Sequence, residues 1–350
     1  MHILVITPGF PENENDTDCI PPMQGYVQSL FSKYPDVKVS VISIHYPYKK
    51  IFYCWKGIEV YSCGGSRSAQ PFRLLFWIRA IYYSLKINNK CKVDIIHSFW
   101  LGESALLGAV ISFLLKVTHI NTLMGQDAKK NNKYLKLLPL KKIIKVSVSE
   151  FQSRVFFKST GEKTNHIINW GIEGKELENH IRIYDVIGVG ALIPVKNYKL
   201  FVEIISQLKK DFPELNCLLI GDGEQRNELE KQIEICQLSK DIKLTGHLKR
   251  EEVLKLMMQS KILLHTSEYE SFGYVVAEAL ASGCFVVSRK TGCAQESEKI
   301  IIAENKDEFT NALMNLLISK NDYLPVNPFN LSCTVDSYFH LYNSNAKVYE

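Results

Sequence analysis

Short apolar runs alternate with longer stretches whose apolar residues recur every three or four positions, along nearly the whole 350-residue chain. Runs of the first kind read as buried strands and stretches of the second as helices. In the first half the pattern predicts strands near 2–7, 38–44, 58–62, 94–97, 118–122 and 144–148, with helices near 24–34, 71–88, 102–116 and 150–157. It restarts with strands near 184–190, 217–221, 242–245, 261–265 and 285–288, and helices near 197–211, 224–237, 250–259, 273–282 and 306–318. Such alternation belongs to parallel sheets with crossover helices. The fold class is therefore α/β, with two doubly wound, Rossmann-like domains divided around 165–180. The bounds assigned are 1–168, 169–332, and a remaining C-terminal helix in 333–350 that is placed to pack back on the first domain. Ligands of such sheets bind beyond the carboxyl ends of the strands, so a cleft between the domains is the expected site.

The length agrees with about two domains. Nine scattered cysteines contain no Cys-x-x-Cys pair, so neither a zinc ribbon nor a redox motif is supported, and a reducing compartment is expected. The chain runs directly into the strand-like His2-Ile3-Leu4-Val5-Ile6-Thr7, which argues against a signal peptide. The longest apolar stretch, Ala105 to Val117, contains Ser112 and Lys116 and is too short to span a bilayer. These features predict a cytoplasmic protein. Charge alters that picture. Residues 1–170 hold 22 Lys and Arg against 11 Asp and Glu, whereas the remainder holds 20 against 26. The basic half suits an anionic membrane surface or a phosphate-bearing acceptor. Its densest part is Lys129-Lys130, Lys133, Lys136, Lys141-Lys142 and Lys145, interleaved with Tyr134, Leu135, Leu137 and Leu138. That segment reads either as an amphipathic element on the inner membrane face or as a solvated surface. No recognition motif accompanies the charge, so nucleic acid is not an expected partner.

The candidate chemistry lies late in the chain. Glu270 and Glu278 bracket Ser271-Phe272-Gly273-Tyr274, where a strand ending near His265 passes through a turn into a small-residue helix. Eight helical residues rise about 12 Å, enough for two carboxylates to reach opposite ends of a nucleotide sugar. The helix N-terminus between them attracts phosphate. The alternative is that Glu270 caps the helix and Glu278 lies on a solvated face. Gly221-Asp222-Gly223-Glu224 follows a strand and opens a helix, which fits either a close ligand approach or an ordinary turn. Gly188-Val189-Gly190 begins like a dinucleotide fingerprint, but Ile193 stands in the third glycine's place, which weighs against NAD chemistry. Lys196 lies within reach of a diphosphate in that same turn. Asp16-Thr17-Asp18 has the Asp-x-Asp form of a metal site but lies in an acidic loop early in the chain, and no metal or cofactor is expected.

Taken in order, the Gly190-to-Lys196 loop, Leu219-Ile220-Gly221-Asp222-Gly223, Leu244-Thr245-Gly246, and Glu270 through Glu278 with Ala279-Leu280-Ala281-Ser282-Gly283 resemble the second domain of a retaining glycosyltransferase of family 4, with the two-domain GT-B fold. That resemblance implies transfer of a hexose-type sugar from a nucleotide diphosphate donor to a glycan or lipid-linked acceptor, as in cell-surface polysaccharide or lipopolysaccharide synthesis. It assigns phosphate contact to Lys196, the donor sugar and reaction centre to Glu270, backbone donation to Ser271, Phe272, Gly273 and Tyr274, and the ribose to Glu278. Gly223 joins the donor site. In the first half, Pro21-Pro22-Met23-Gln24-Gly25-Tyr26 resembles the family's glycine loop, which gives Gly25 a donor-side place. Asp94-Ile95-Ile96-His97 resembles the strand end whose histidine approaches the transferred sugar. Thr122 to Asp127 resembles a His-Gly-x-Asp turn with Met124 in the histidine's place. Ala191 stands where the family frequently has an arginine beside the diphosphate, and Lys199 is a candidate to compensate. The alternatives are a nucleotide-sugar epimerase or hydrolase, and a catalytically degenerate GT-B partner subunit.

Overall fold

The computed structural model describes residues 1–65, 73–173 and 181–346. The chain forms two units, one of residues 1–173 and 329–350, the other of residues 174–328.

In the first unit, β1 (His2–Gly9) is followed by α1 (Pro21–Lys33), β2 (Lys38–Tyr46), β3 (Lys50–Trp55), β4 (Ile58–Cys63) and α2 (Arg73–Lys90). The chain continues through β5 (Ile95–Phe99), α3 (Glu103–Leu115), β6 (Thr118–Thr122), β7 (Ile144–Ser147), α4 (Glu150–Thr160) and β8 (His166–Ile167). The sheet order is β3-β4-β2-β1-β5-β6-β7-β8, parallel except for the antiparallel β3–β4 edge. β1 has no exposed position, as a strand covered on both faces requires. The β3–β4 hairpin was not anticipated from the apolar runs. β3 alternates exposed and part-buried positions on an edge, with Lys50, Phe52 and Cys54 outward, although Ile51 to Trp55 form an apolar run in sequence.

The second unit comprises β9 (Tyr184–Val189), α5 (Tyr198–Leu208), β10 (Cys217–Ile220), α6 (Arg226–Ile235), β11 (Ile242–Gly246), α7 (Arg250–Met258) and β12 (Ser260–His265). These are followed by α8 (Tyr274–Ala281), β13 (Phe285–Ser288), β14 (Ile300–Ile302) and α9 (Lys306–Ile318). All six strands are parallel, in the order β11-β10-β9-β12-β13-β14. The core joins Phe201, Ile205 and Leu208 of α5 to Leu219, Leu264 and Val287 of the sheet and Phe309 and Leu313 of α9. From β9 the chain steps outward on one side, and it returns to β9's other side at β12. This reversal makes β9/β12 the topological switch point, where a doubly wound sheet opens a crevice at its carboxyl edge.

α10 (Leu331–Asn343) belongs to the first unit and packs on α1, with the Tyr34 and Phe339 rings stacked 3.6 Å apart and Asp336 paired with Lys33 at 2.6 Å.

Candidate functional site

The switch point of the second unit carries the sequence-selected ion pair. Lys196 ends the short turn after β9, and Glu270 lies five residues beyond β12. Lys196 Nζ donates to Glu270 Oε1 at 2.5 Å, and both side chains are largely shielded from solvent. The pair is held by backbone contacts. Thr266 Oγ1 donates to the Lys196 carbonyl at 2.8 Å, and the Glu268 N–H donates to the Val195 carbonyl at 2.9 Å.

His265, absent from the sequence-selected set, is the third member. Its Nε2 lies 3.2 Å from Glu270 Oε1 and its Nδ1 lies 2.8 Å from Ser288 Oγ, with the side chain only 4% exposed. The Ser288 hydroxyl donates to the Arg289 carbonyl at 2.8 Å. With that hydrogen spent, the Ser288 oxygen is left as an acceptor toward His265 Nδ1. Burial alone would raise the Glu270 carboxyl, but the His265 hydrogen bond and the Lys196 charge overcome it and hold the carboxyl down to about 2. Glu270 is thus an anion between two cation-capable groups. The available signal in the sequence was the position of His265 at the end of an apolar run, where strand-end side chains face the crevice.

The turn after Glu270 is shaped by contacts with the next strand connection. Phe272 is buried, and its carbonyl accepts the Cys293 N–H at 2.6 Å. A Cβ on Gly292 would stand 2.2 Å from that carbonyl, so only glycine lets the two loops meet. Ser271 is half-buried, Gly273 precedes α8 with φ of 81°, and Tyr274 opens the helix. The positive end of the α8 dipole therefore faces the side on which Lys196 and Glu270 lie. Gly223 and Gly221 close the opposite wall. A Cβ on Gly221 would lie 1.9 Å from the Gly190 carbonyl oxygen, and one on Gly223 would lie 2.6 Å from that of Leu192. These glycines press the β10 loop onto the β9 loop.

Glu278 lies one turn into α8 and is held by Arg250, whose Nε donates to Oε1 at 2.8 Å. The Arg250 guanidinium also lies over the Tyr274 ring, 5.7 Å from its centroid. Burial raises the Glu278 carboxyl while Arg250 pulls it the other way. Glu278 is therefore not a solvated face residue, and Arg250 is a second residue that the sequence did not single out. Lys199, the candidate to offset Ala191, is instead 2.6 Å from Glu228, bridging α5 and α6, while Ala191 is exposed. Beyond β13, the Arg289 Nε and the Thr291 hydroxyl are buried without a hydrogen-bond partner among the described residues.

The first-unit residues have other surroundings. Gly25 lies inside α1 rather than in a loop, and a Cβ there would touch Leu331 of α10 at 3.5 Å. His97 is fully buried on β5. Its Nδ1 pairs with the Tyr342 hydroxyl at 2.5 Å and its Nε2 with Thr122 Oγ1 at 2.8 Å, and burial holds its pKa well below the usual imidazole value. The Tyr338 hydroxyl meets the same Thr122 oxygen at 2.8 Å, and the Tyr26 and Tyr342 hydroxyls also pair. His97 is thus a neutral, fully bonded member of an internal network in place of the sugar contact expected of it. Asp127 accepts from the Leu101, Met124 and Gly125 N–H groups and shapes the turn after β6. Asp16 likewise accepts from the Glu12 and Cys19 N–H groups and the Tyr46 hydroxyl, which makes it a loop brace.

Residues 176–323 match the family model described as "Glycosyl transferases group 1". The fold as a whole is similar to the Anabaena Alr3699/HepE structure in complex with UDP and glucose, with a TM-score of 0.72, 16% identity, and coverage of 98% of this chain and 99% of that one. The class so defined is a GT-B fold whose second unit matches the group 1 glycosyltransferase model. Among curated proteins, the chain is similar to the phosphatidylinositol N-acetylglucosaminyltransferase GPI3 subunit of Saccharomyces cerevisiae, 27% identical over 39% of this chain and 32% of that protein. It is also similar to the 2-deoxystreptamine N-acetyl-D-glucosaminyltransferase of Niallia circulans, 27% identical over 31% of this chain and 28% of that protein. The matches span about a third or less of these relatives' length.

Proposed function

We propose that this protein is a retaining glycosyltransferase of family 4 that moves a hexose-type sugar from a nucleotide diphosphate donor to a hydroxyl of a glycan or lipid-linked acceptor. The observation that carries this reading is the Lys196–Glu270 pair, set 2.5 Å apart at the switch point of a group 1 domain. Breaking the anomeric bond builds negative charge on the leaving diphosphate and positive charge on the sugar ring. Lys196 and the α8 N-terminus meet the first, and the Glu270 carboxylate meets the second. His265, whose Nε2 lies 3.2 Å from the same Glu270 oxygen, holds the carboxylate in place. In this reading Glu278 accepts hydrogen bonds from ribose hydroxyls, which the hold of Arg250 on one of its oxygens supports. The donor's own phosphate oxygen takes the acceptor proton, so no side chain need become covalently bound. The wider setting proposed is cell-surface polysaccharide or lipopolysaccharide assembly on the cytoplasmic side.

A donor-hydrolysis screen over UDP, GDP and dTDP sugars tests the reading, beginning with UDP because the similar HepE structure was solved with UDP and glucose. Hydrolysis of one donor class, accelerated by an acceptor and giving product with the donor's anomeric configuration, supports it. Turnover that needs no acceptor and is unaffected by one would indicate a hydrolase or epimerase. Exposed Ala191 and the engagement of Lys199 by Glu228 favour one further reading, a protein that binds donor without turning it over. Calorimetric binding of a nucleotide diphosphate together with zero turnover would select it.

A further inference from the structure

We infer that the outward face of α2, with the exposed residues of α3 beside it, is a docking surface for an anionic lipid bilayer. α2 buries Phe76, Ala80, Ser84 and Ile87 against its own sheet, which is the single apolar stripe an amphipathic helix needs. Its opposite face is apolar as well. Leu74, Leu75, Ile78, Tyr82 and Leu85 are 63, 46, 55, 59 and 41% exposed, and they recur at helical spacing along the outside. α3, packed next to α2, adds Phe113 at 81% and Leu114 at 48%. Single exposed apolar side chains are ordinary, but a stripe in register is not.

Charge selects the occupant. α2 contains Arg73, Arg79, Lys86 and Lys90 and no Asp or Glu, and Lys116 follows α3. Lys90 meets Glu59 at 2.6 Å and Arg73 meets Glu103 at 3.7 Å, whereas Arg79 donates to the Cys63 carbonyl and keeps its charge. A second copy seated symmetrically on this face would set cations against cations. An anionic bilayer meets both the apolar stripe and its basic flank, as an interfacial helix does. The Lys129–Lys145 segment, by contrast, contains two short helical turns, and its Tyr134, Leu135, Leu138 and Leu140 pack into the first unit's interior, with Lys145 itself buried. That segment contributes surface charge but has spent most of its apolar side chains.

The inference rests on this surface alone, so it stands or falls separately from sugar transfer. Flotation of the full-length protein with phosphatidylglycerol–phosphatidylcholine vesicles, compared with phosphatidylcholine vesicles alone, tests it. The wild type should float with the mixed vesicles only. Ile78→Asp combined with Phe113→Asp should weaken binding by at least about tenfold with an unchanged melting temperature. Charge removal at Lys129, Lys130 and Lys133 should cost less. A Tyr82→Trp reporter, which adds no charge, should shift its emission to the blue on the mixed vesicles. Wild type that stays in solution, variants that float equally well, or a reporter that does not shift would overturn the assignment. So would a concentration-dependent dimer that the Ile78→Asp, Phe113→Asp pair dissolves, since the face would then belong to a second copy.

Discussion

Against burial, the His265 hydrogen bond and Lys196 hold the Glu270 carboxyl low, and the pH dependence of this cluster follows from that. Glu270 titrates near 4.5 when unfolded and is held to about 2 in the fold. A depressed carboxyl stabilises the native state above its unfolded value, and that stabilisation is lost as pH falls from about 4.5 toward 2. The difference amounts to something on the order of 3 kcal/mol. Urea unfolding of wild type and Glu270→Gln should therefore diverge above pH 5 and converge as the pH drops toward 2, where the wild-type advantage vanishes. Parallel curves over the whole range would mean that Glu270 is not the group held low. Kinetics separate the two glutamates. Glu270→Gln should lower kcat roughly 10²-fold, because its charge acts on the developing cation. Glu278→Ala should mainly raise the donor's KM, by about tenfold, the cost of one charge-assisted hydrogen bond. Wild-type kinetics in both variants would remove the site from this part of the molecule.

The loops that carry these residues depend on close backbone contact, and Gly292 is the tight point beside Glu270. Alanine there would set a Cβ 2.2 Å from the Phe272 carbonyl and 3.0 Å from the Glu270 Cβ, with φ at +57°. Gly292→Ala should lower the melting temperature of the second unit and weaken nucleotide binding together, because the turn bearing Glu270 must move; a stable variant with unchanged calorimetric affinity would show the loop to be more compliant than its geometry implies. In the second unit the meeting of Lys196 with Glu270 could be anticipated from sequence, since these residues, Glu278 and the glycines lie on local strand-to-helix turns whose signals span a few residues. What was hidden is what depends on register between distant strands. His265 meets Ser288 only because β12 and β13 align the two residues. Arg250 reaches Glu278 only because α7 lies beside α8. In the first unit the same limit misplaced His97 and Gly25, whose neighbours Tyr342 and Leu331 come from α10, more than 200 residues away. The β3 strand was missed although Ile51 to Trp55 form a continuous apolar run.

The chain leaves its first unit at residue 173 and returns to it at residue 329, so the first unit is closed by the last helix in sequence. α10 contributes the Tyr338 and Tyr342 rings, both fully buried, and their hydroxyls satisfy Thr122 and His97. Removing α10 would leave His97 Nδ1 without its partner and open a cavity the size of two aromatic rings beside Tyr26 and Trp170. The second unit needs none of this, because its core of α5, α6, α9 and six strands is internal to residues 184–318. A chain ending at Pro328 should therefore lose protection selectively. Hydrogen exchange should rise to unprotected rates in β1, β5 and β6 while β9, β10 and β12 stay protected, and nucleotide binding by the second unit should survive. A single cooperative loss of protection across both sheets would show that the two units fold as one, and a first unit that keeps its protection would show that α10 covers a core already stable without it.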